Sequence, residues 1–591
     1  MCGITGQWNF NKKSLDREDF TRSLDSLVHR GPDASGTWFS NEENVGLGQR
    51  RLSIVDLNTR ANQPLHNEKN NVHAVVNGEI YNYPELRKQL EKSGHIFSTN
   101  SDSEVIVHGW EEWNTSLPSR LDGMFAFAVY DESQKTLFAA RDRFGIKPLY
   151  YSALADRFTF ASELKPIVNS PDFIREIDYS SFCDFFIYRY IPPPKTIWKG
   201  VNKLPPANSL LIKNDGIVHI EEYWQLKPGN EKMQPYDVAA KVKELLKKSV
   251  QKHLLSDVPI GTFLSGGYDS TTLAYIQHEL GYPVKSFSMG FEGWEKSEHL
   301  YAGIVAEILE TEHHTEIVNG ADLSLLDILP EFYDEPNGDI STVPTYMVSR
   351  MAAKDVKVVF SGEGADEIFA GYTWHRQLMY RYRFNRETVW ERLHKNPMSG
   401  VAGYAHAMAM GLFDTKKLKD LLPENIHSHI PEDPFWFYRK HFNVEIHPLK
   451  AFQYMDIKCF MGELVLQKVD RATMANSLEA RVPFLDPELV EFMFSLSPDS
   501  YFDKEQQKPV LEAILRPHFP KGILERKKQG FTGPDRFYQD EKWYRTVLSD
   551  SMLIKNNLLN PNFITNALAK KDYWRLWKVV VMEKWFFKYF A

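Results

Sequence analysis

Cysteine is nearly missing. Only Cys2, Cys183 and Cys459 occur in 591 residues, too few and too scattered for a disulfide framework or a thiolate metal site, which fits a reducing, cytoplasmic setting. Long apolar runs are missing too. No segment approaches the ~20 apolar residues that span a bilayer, and the start lacks the basic region and apolar stretch of a secretion signal. A positive excess is missing as well. With a formal net charge of −8 and no long lysine–arginine run, the chain has no footprint for phosphate backbones or anionic lipid, so neither nucleic acid nor membrane is expected as a partner. The aromatic tail WRLWKVVVMEKWFFKYF carries Arg575, Lys578, Glu583, Lys584 and Lys588 at intervals and reads as a packed amphipathic helix.

What remains is an ordinary globular balance, 43% hydrophobic and 25% charged, in a chain too long for one core, so two or more domains are expected. Up to about residue 210 short alternating apolar runs are separated by turns: VGLGQRRLSIVDL, VHAVVNGEIYN, MFAFAVYDESQKTLFAARD, LYYSALADRFTFAS. This period of two predicts an α+β sandwich, with helices at YPELRKQLEKSG and DSEVIVHGWEEW between strands. The proline-rich YIPPPKTIWKGVNKLPPANSLLI and the residues after it mark a change of pattern. We expect a first domain at 1–210, a junction at 211–234 and a second domain at 235–591. In the second, helical periods such as VAAKVKELLKKSVQKHLL alternate with short strands such as PIGTFL, VKSFSMGF and DVKVVFSG. That is the pattern of an α/β parallel sheet covered on both faces.

The chain begins MCGITG. Removal of Met1 would leave Cys2 with a thiol and a free α-amine of pKa ~8, a nucleophile and base on one residue; a chance cysteine on a frayed end is the alternative. In the second half, FLSGGYDSTT runs from a strand through Ser265, Gly266 and Gly267 into a helix at Ser270. Backbone N–H groups and a helix N-terminus converge there on an anion site. Asp269 inside such a turn makes sense as a ligand for Mg²⁺. The loop lacks the length and lysine of a Walker A motif and resembles the pyrophosphate loop of the N-type ATP pyrophosphatases. FSGEGADEIFAGY, residues 360–372, is a second acidic, glycine-rich loop at a strand end, where ligands bind in parallel sheets.

Together CGITG, HRGPDASG, RRLSIVDL, VNGEIYNY, SDSEVI, GMFAFAVYD, RDRFGIKPLYY, LSGGYDST, DEP, PTYMVSR, SGEGADEIFAGY, DRATMANSLEARVPFLD and KKQGF closely resemble the glutamine-hydrolysing asparagine synthetases of the bacterial B type, nearly end to end. The resemblance implies a four-layer αββα Ntn-hydrolase sandwich followed by an ATP-pyrophosphatase domain with added C-terminal helices. It makes Cys2 the glutaminase nucleophile, with the Asn77 side chain and Gly78 N–H as oxyanion donors. Arg51 would grip the glutamine α-carboxylate, Glu79 and Asp102 its amine, and main-chain groups of Ile54 and Val55 would complete the pocket. For ATP it implies Leu264, Ser265, Gly266, Gly267, Asp269, Ser270, Met289, Ser361 and Gly362, with Asp269 and Asp366 holding Mg²⁺. Glu363 would act in forming the acyl-adenylate and in its attack by ammonia, and Lys508 would stabilise charge on the departing phosphate. A homodimer is also implied.

The expected acceptor is the β-carboxylate of L-aspartate. Tyr268, where leucine is common, and DEPNGDISTVPTY depart from the family pattern, which keeps another carboxylate, such as a uronic-acid sugar, as the alternative. His313 and His314 are adjacent and would face opposite ways on a strand, so they are expected to form no zinc site.

Overall fold

The computed structural model describes residues 2–295, 297–320, 322–381, 383–384, 387–388, 397–443, 445–525 and 533–591, and the KKQGF stretch at 527–531 lies outside the described residues. The alternation of the first half becomes two six-stranded antiparallel sheets. One runs Asn202–Lys203, Tyr150–Ala153, Arg157–Ala161, Cys2–Asn9, Val45–Arg51, Ala34–Phe39. The other runs Val218–Glu222, Asn208–Lys213, Thr136–Arg141, Gly123–Asp131, Val72–Ile80, Leu65–His66.

The strand GMFAFAVYD shows why the sheets stack. Phe125, Phe127 and Val129 pack with Val105 and Trp110 of the helix Val105–Trp113. Ala126, Ala128 and Tyr130 turn the other way, onto Ile4, Val45 and Phe160 of the first sheet. Successive side chains leave a strand on opposite faces, so one strand builds two interfaces. On the outer face of the first sheet, Gly46 and Gly48 admit Phe20 and Leu24 of the helix Arg17–Asp25. The layers are helix, sheet, sheet, helix.

Beyond residue 210, Val218–Glu222 pairs with Asn208–Lys213 and extends the second sheet. This edge strand is exposed over most of its length, and its alternation of Val218 and Ile220 with His219 and Glu221 spans only four residues.

The second half holds a five-stranded parallel sheet in the order Glu312–Val318, Lys285–Phe291, Ile260–Phe263, Val358–Phe360, Glu479–Arg481. The amphipathic helix Pro235–His253 packs beside Tyr268–Glu279. The edge strand Glu479–Arg481 has no apolar run because two of its three residues are charged, and these pair with each other at 2.6 Å in full burial. His313 contacts Ser286, Ser288 and Thr315, while His314 stacks on Phe287, so the adjacent rings do not converge on one point. Among the described residues no helix is long and apolar enough to cross a membrane.

The aromatic tail forms the helix Tyr573–Phe590. Its expected polar stripe is only partly exposed. Lys578 is buried and donates to the Phe186 and Gly411 carbonyls at 2.8 and 3.0 Å, while Glu583 accepts from Ser551 Oγ and the Met552 N–H, both at 2.6 Å. Trp585, fully buried, donates to the Asp334 carbonyl at 2.7 Å. Trp585→Ala is expected to cost about 3–5 kcal/mol, since it opens a cavity and leaves a carbonyl unpaired. A thermal scan should show a lower Tm, and an unchanged Tm would contradict this packing.

Candidate active sites

Cys2 opens its strand opposite Arg51 on the neighbouring strand and is buried. Its backbone N–H donates to Asn77 Oδ1 at 3.1 Å. The other end of that amide, Asn77 Nδ2, is buried with no hydrogen-bond partner among the described residues, so it is the donor left for a ligand. Gly78 follows at φ +151°, where a Cβ would stand 2.0 Å from the Met124 carbonyl oxygen. Burial pushes the Cys2 thiol above its ordinary pKa, so thiolate formation there requires a base at hand.

The Arg51 guanidinium donates to Asn62 Oδ1 at 2.8 Å, to the Asn58 and Val55 carbonyls at 3.0 and 3.2 Å, and to the Asp56 carbonyl. These bonds fold the segment after its strand. The Val55 carbonyl is thus engaged by Arg51, and the Ile54 carbonyl accepts from the Asp257 N–H at 2.9 Å. Glu79 and Asp102 are both buried. Asp102 Oδ2 accepts from the Ile80 N–H at 2.7 Å, and Glu79 Oε2 lies 3.5 Å from Arg481 Nη2. Burial, then the nearby Glu479 and Asp102, push the Glu79 carboxyl well above the usual range, and burial pushes Asp102 up as well. A bound cation such as an α-ammonium would relieve both carboxylates.

Arg30, quoted above only as part of a motif, is fully buried beside Cys2. Its Nε donates to the Cys2 carbonyl at 3.1 Å, its Nη1 to Glu163 at 2.9 Å, and its two Nη atoms to Asp470 at 2.8 and 3.1 Å. Asp470 lies 440 residues away, and no sequence signal announces the pairing.

The second site is a cavity of about 480 Å³ at the carboxyl ends of the parallel strands. Leu264, Ser265, Gly267, Asp269, Ser270, Ser361, Gly362, Glu363, Asp366 and Lys508 line it. The first loop is shaped from within: the Ser265 N–H donates to Ser270 Oγ at 3.1 Å and the Gly267 N–H to Ser265 Oγ at 3.2 Å. Gly266 has φ +70°, and a Cβ there would stand 2.7 Å from the Tyr301 backbone, so this residue shapes the loop from outside the cavity lining. Met289 also stays off the lining; it is 3% exposed in its strand and belongs to the core, while Ser288 beside it faces the cavity.

Lys508 Nζ bridges Asp269 Oδ1 at 2.5 Å and Asp366 Oδ1 at 2.6 Å. Two carboxylates converging on one ammonium are hard oxygen donors at a point that accepts positive charge, a donor set that fits Mg²⁺. Burial pushes Glu363 above its usual pKa. Glu367, which the sequence reading passed over, also lines the cavity; burial and then Asp366 push it up to about 8, and it accepts from the Tyr372 hydroxyl at 2.7 Å. Two more lining residues were missed, Asp339 and Lys468, whose charged atoms stand 3.9 Å apart. Tyr268, also on the wall, is tied through its hydroxyl to Glu512 at 3.1 Å.

A buried cysteine–asparagine pair in a double antiparallel sheet, joined to a glycine-rich, acidic cavity on a parallel sheet, defines an amidotransferase fused to a nucleotide-using synthetase. The comparisons agree. Residues 1–224 match the glutamine amidotransferase domain family and residues 241–586 the asparagine synthase family. Asparagine synthetase [glutamine-hydrolyzing] 1 of Bacillus subtilis is 32% identical over 605 residues, covering 97% of this chain and 92% of that protein. Asparagine synthetase [glutamine-hydrolyzing] 3 of the same organism is 31% identical, covering 95% and 92%. Amidase chry2 of Gibberella zeae is 29% identical, covering 93% and 89%. The chain belongs to the glutamine-hydrolysing asparagine synthetase family. It is a ligase that takes nitrogen from glutamine and uses ATP.

Because a side chain at Gly78 collides with fixed backbone, Gly78→Ala is expected to lower glutamine hydrolysis by at least ~10²-fold, the scale of a lost oxyanion donor. Ammonia-dependent synthesis should remain. Glutaminase activity at the parent level in this variant would contradict the geometry.

Proposed function

We propose that the enzyme converts L-aspartate to L-asparagine. Once Met1 is removed, the α-amine of Cys2 takes the thiol proton and the sulfur attacks the side-chain carbonyl of glutamine. Asn77 Nδ2 and the Gly78 N–H receive the developing oxyanion. Ammonia leaves, and water then cleaves the thioester to glutamate. Arg51 serves the α-carboxylate with the N–H capacity its loop leaves, Ile54 and Val55 contribute main-chain groups, and Glu79 and Asp102 pair with the α-ammonium.

At the second site a β-carboxylate oxygen of aspartate attacks the α-phosphorus of ATP. Pyrophosphate leaves against the Ser265–Ser270 loop and Lys508, and Leu264, Met289, Ser361 and Gly362 serve the nucleotide, Met289 through the strand that carries it. Mg²⁺, held by Asp269 and Asp366, would supply charge neutralisation on the phosphates. Ammonia then attacks the acyl carbonyl of β-aspartyl-AMP, Glu363 accepts a proton, and AMP departs. An apolar cluster containing Leu52 and Met124 from the first half and Phe360 and Val482 from the second supports an internal route for ammonia. The division into domains at 1–210 and 235–591, with a junction at 211–234 whose strand Val218–Glu222 joins the second sheet, a homodimer and a cytoplasmic setting belong to the same reading; the three free cysteines support the last.

The observation that carries the acceptor is the Asp339–Lys468 pair on the cavity wall. Lys468 also donates to Ser341 Oγ at 2.9 Å. Opposite charges side by side suit a zwitterion, with Lys468 meeting the α-carboxylate of aspartate and Asp339 its ammonium. A uronic-acid sugar has no ammonium to place against Asp339, which would then keep only its ion-pair partner Lys468.

Cys2→Ala should abolish glutamine-dependent synthesis and preserve ammonia-dependent synthesis, measured as amide formed from each donor; loss of both would sink the assignment of Cys2. Glu363→Gln should do the reverse, lowering synthesis by about 10²–10⁴-fold while glutamine hydrolysis persists. As Glu363 works deprotonated and its pKa is raised, the acid limb of glutamine-dependent synthesis should lie above the ordinary glutamate value of ~4.3. A pH profile flat across that limb would count against Glu363 as the base.

A further inference from the structure

We propose that Glu68, His95, His108 and Glu111 form a zinc-type metal site in the amidotransferase half, apart from both reaction centres. The residues come from three segments. Glu68 sits in the turn between Leu65–His66 and Val72–Ile80, His95 follows the helix Tyr83–Lys92, and His108 with Glu111 lies three residues apart on the helix Val105–Trp113. One ligand atom from each falls within 4.8 Å of all the others.

Three of the six spacings are close to those of ligands around a metal. His95 Nδ1 is 3.6 Å from Glu68 Oε1 and 3.7 Å from Glu111 Oε2, and His108 Nδ1 is 3.6 Å from Glu68 Oε1. These gaps exceed a good hydrogen bond. They match the ~3.4 Å separation of tetrahedral ligands with metal bonds of ~2.0–2.1 Å. His108 is fully buried, and both of its ring nitrogens, like Glu111 Oε2, are without a hydrogen-bond partner among the described residues. A buried polar group left in that state costs free energy that a shared cation removes.

Each imidazole is also backed by a second carboxylate. His95 Nε2 contacts Glu112 Oε1 at 3.1 Å, and His108 Nε2 faces Glu104 Oε1 at 3.6 Å. An Nε2–H turned to a carboxylate leaves the Nδ1 lone pair facing the cluster, the arrangement that orients histidine ligands. Two carboxylates and two neutral imidazoles balance one divalent charge, and mixed imidazole and carboxylate donors suit zinc. A bound ion would fasten three segments together. One of them, the helix Val105–Trp113, continues the turn that carries Asp102.

The test uses untagged, chelator-stripped full-length Cys2→Ala protein, so that the Cys2 sulfur cannot supply a thiolate. Titration with Co²⁺ should give the intense visible band of tetrahedral coordination, saturating at one equivalent and displaced by Zn²⁺, and Zn²⁺ should raise Tm. His95→Ala with Glu111→Gln, at two less buried positions, should abolish the band and the Tm shift with circular dichroism unchanged; Glu68→Gln should weaken binding by at least about tenfold. No tetrahedral band in the folded parent, or equal binding by the folded variants, overturns the proposal.

Discussion

The buried guanidinium of Arg30 is the contact on which the working geometry depends. A fully desolvated cation is tolerated only when it is paired and hydrogen-bonded, and here each of its three nitrogens is met, from both halves of the chain: the Cys2 carbonyl and Glu163 on one side, Asp470 on the other. The nucleophilic strand therefore cannot shift without breaking bonds to the synthetase half. Arg471 also spans the halves, with Nη1 paired by charge to Glu163 at 2.7 Å and Nη2 bonded to Tyr150 at 3.1 Å. Arg481 adds a third bridge, pairing with Glu479 and reaching Glu79 in the first pocket. The interface between the halves is thus specified by directional charge pairs set into an apolar surround, and such pairs fix register more sharply than area burial does.

That arrangement explains what was legible in the sequence. The period of two in GMFAFAVYD announced both faces of its strand, and the strand–glycine–helix grammar of FLSGGYDSTT and FSGEGADEIFAGY announced a cavity at strand ends; both signals are local. Arg30 with Asp470, and the strand Glu479–Arg481, depend on partners far away in the chain or on charges that are buried only because the other half covers them. The burial of Lys578 and Glu583 is illegible in the tail sequence for the same reason: the groups that satisfy them belong to other segments. Residue-by-residue resemblance also has a limit. It points to Met289, whereas the side chain facing the cavity from that strand is Ser288.

The two sites solve opposite electrostatic problems. The first gathers buried carboxylates, Glu79 and Asp102, whose pKa values burial raises although Arg481 stands 3.5 Å from Glu79, as suits an amino-acid substrate with an ammonium. The second must hold a polyanion, and it offers the N-terminus of the helix Tyr268–Glu279 and Lys508 against two aspartates able to share Mg²⁺. Asp339 and Lys468 on its wall present one charge of each sign, which is why the account places a zwitterionic acceptor there.

The account is tested most directly by pyrophosphate release from the purified enzyme with Mg-ATP and glutamine, comparing L-aspartate with glutamate, uronic acids and nucleotide-linked uronates. It predicts release that requires aspartate, with asparagine and AMP formed in equal amounts. Inert aspartate, with glutamine still hydrolysed and release triggered by a uronate, would contradict the acceptor and leave the amidotransferase chemistry standing.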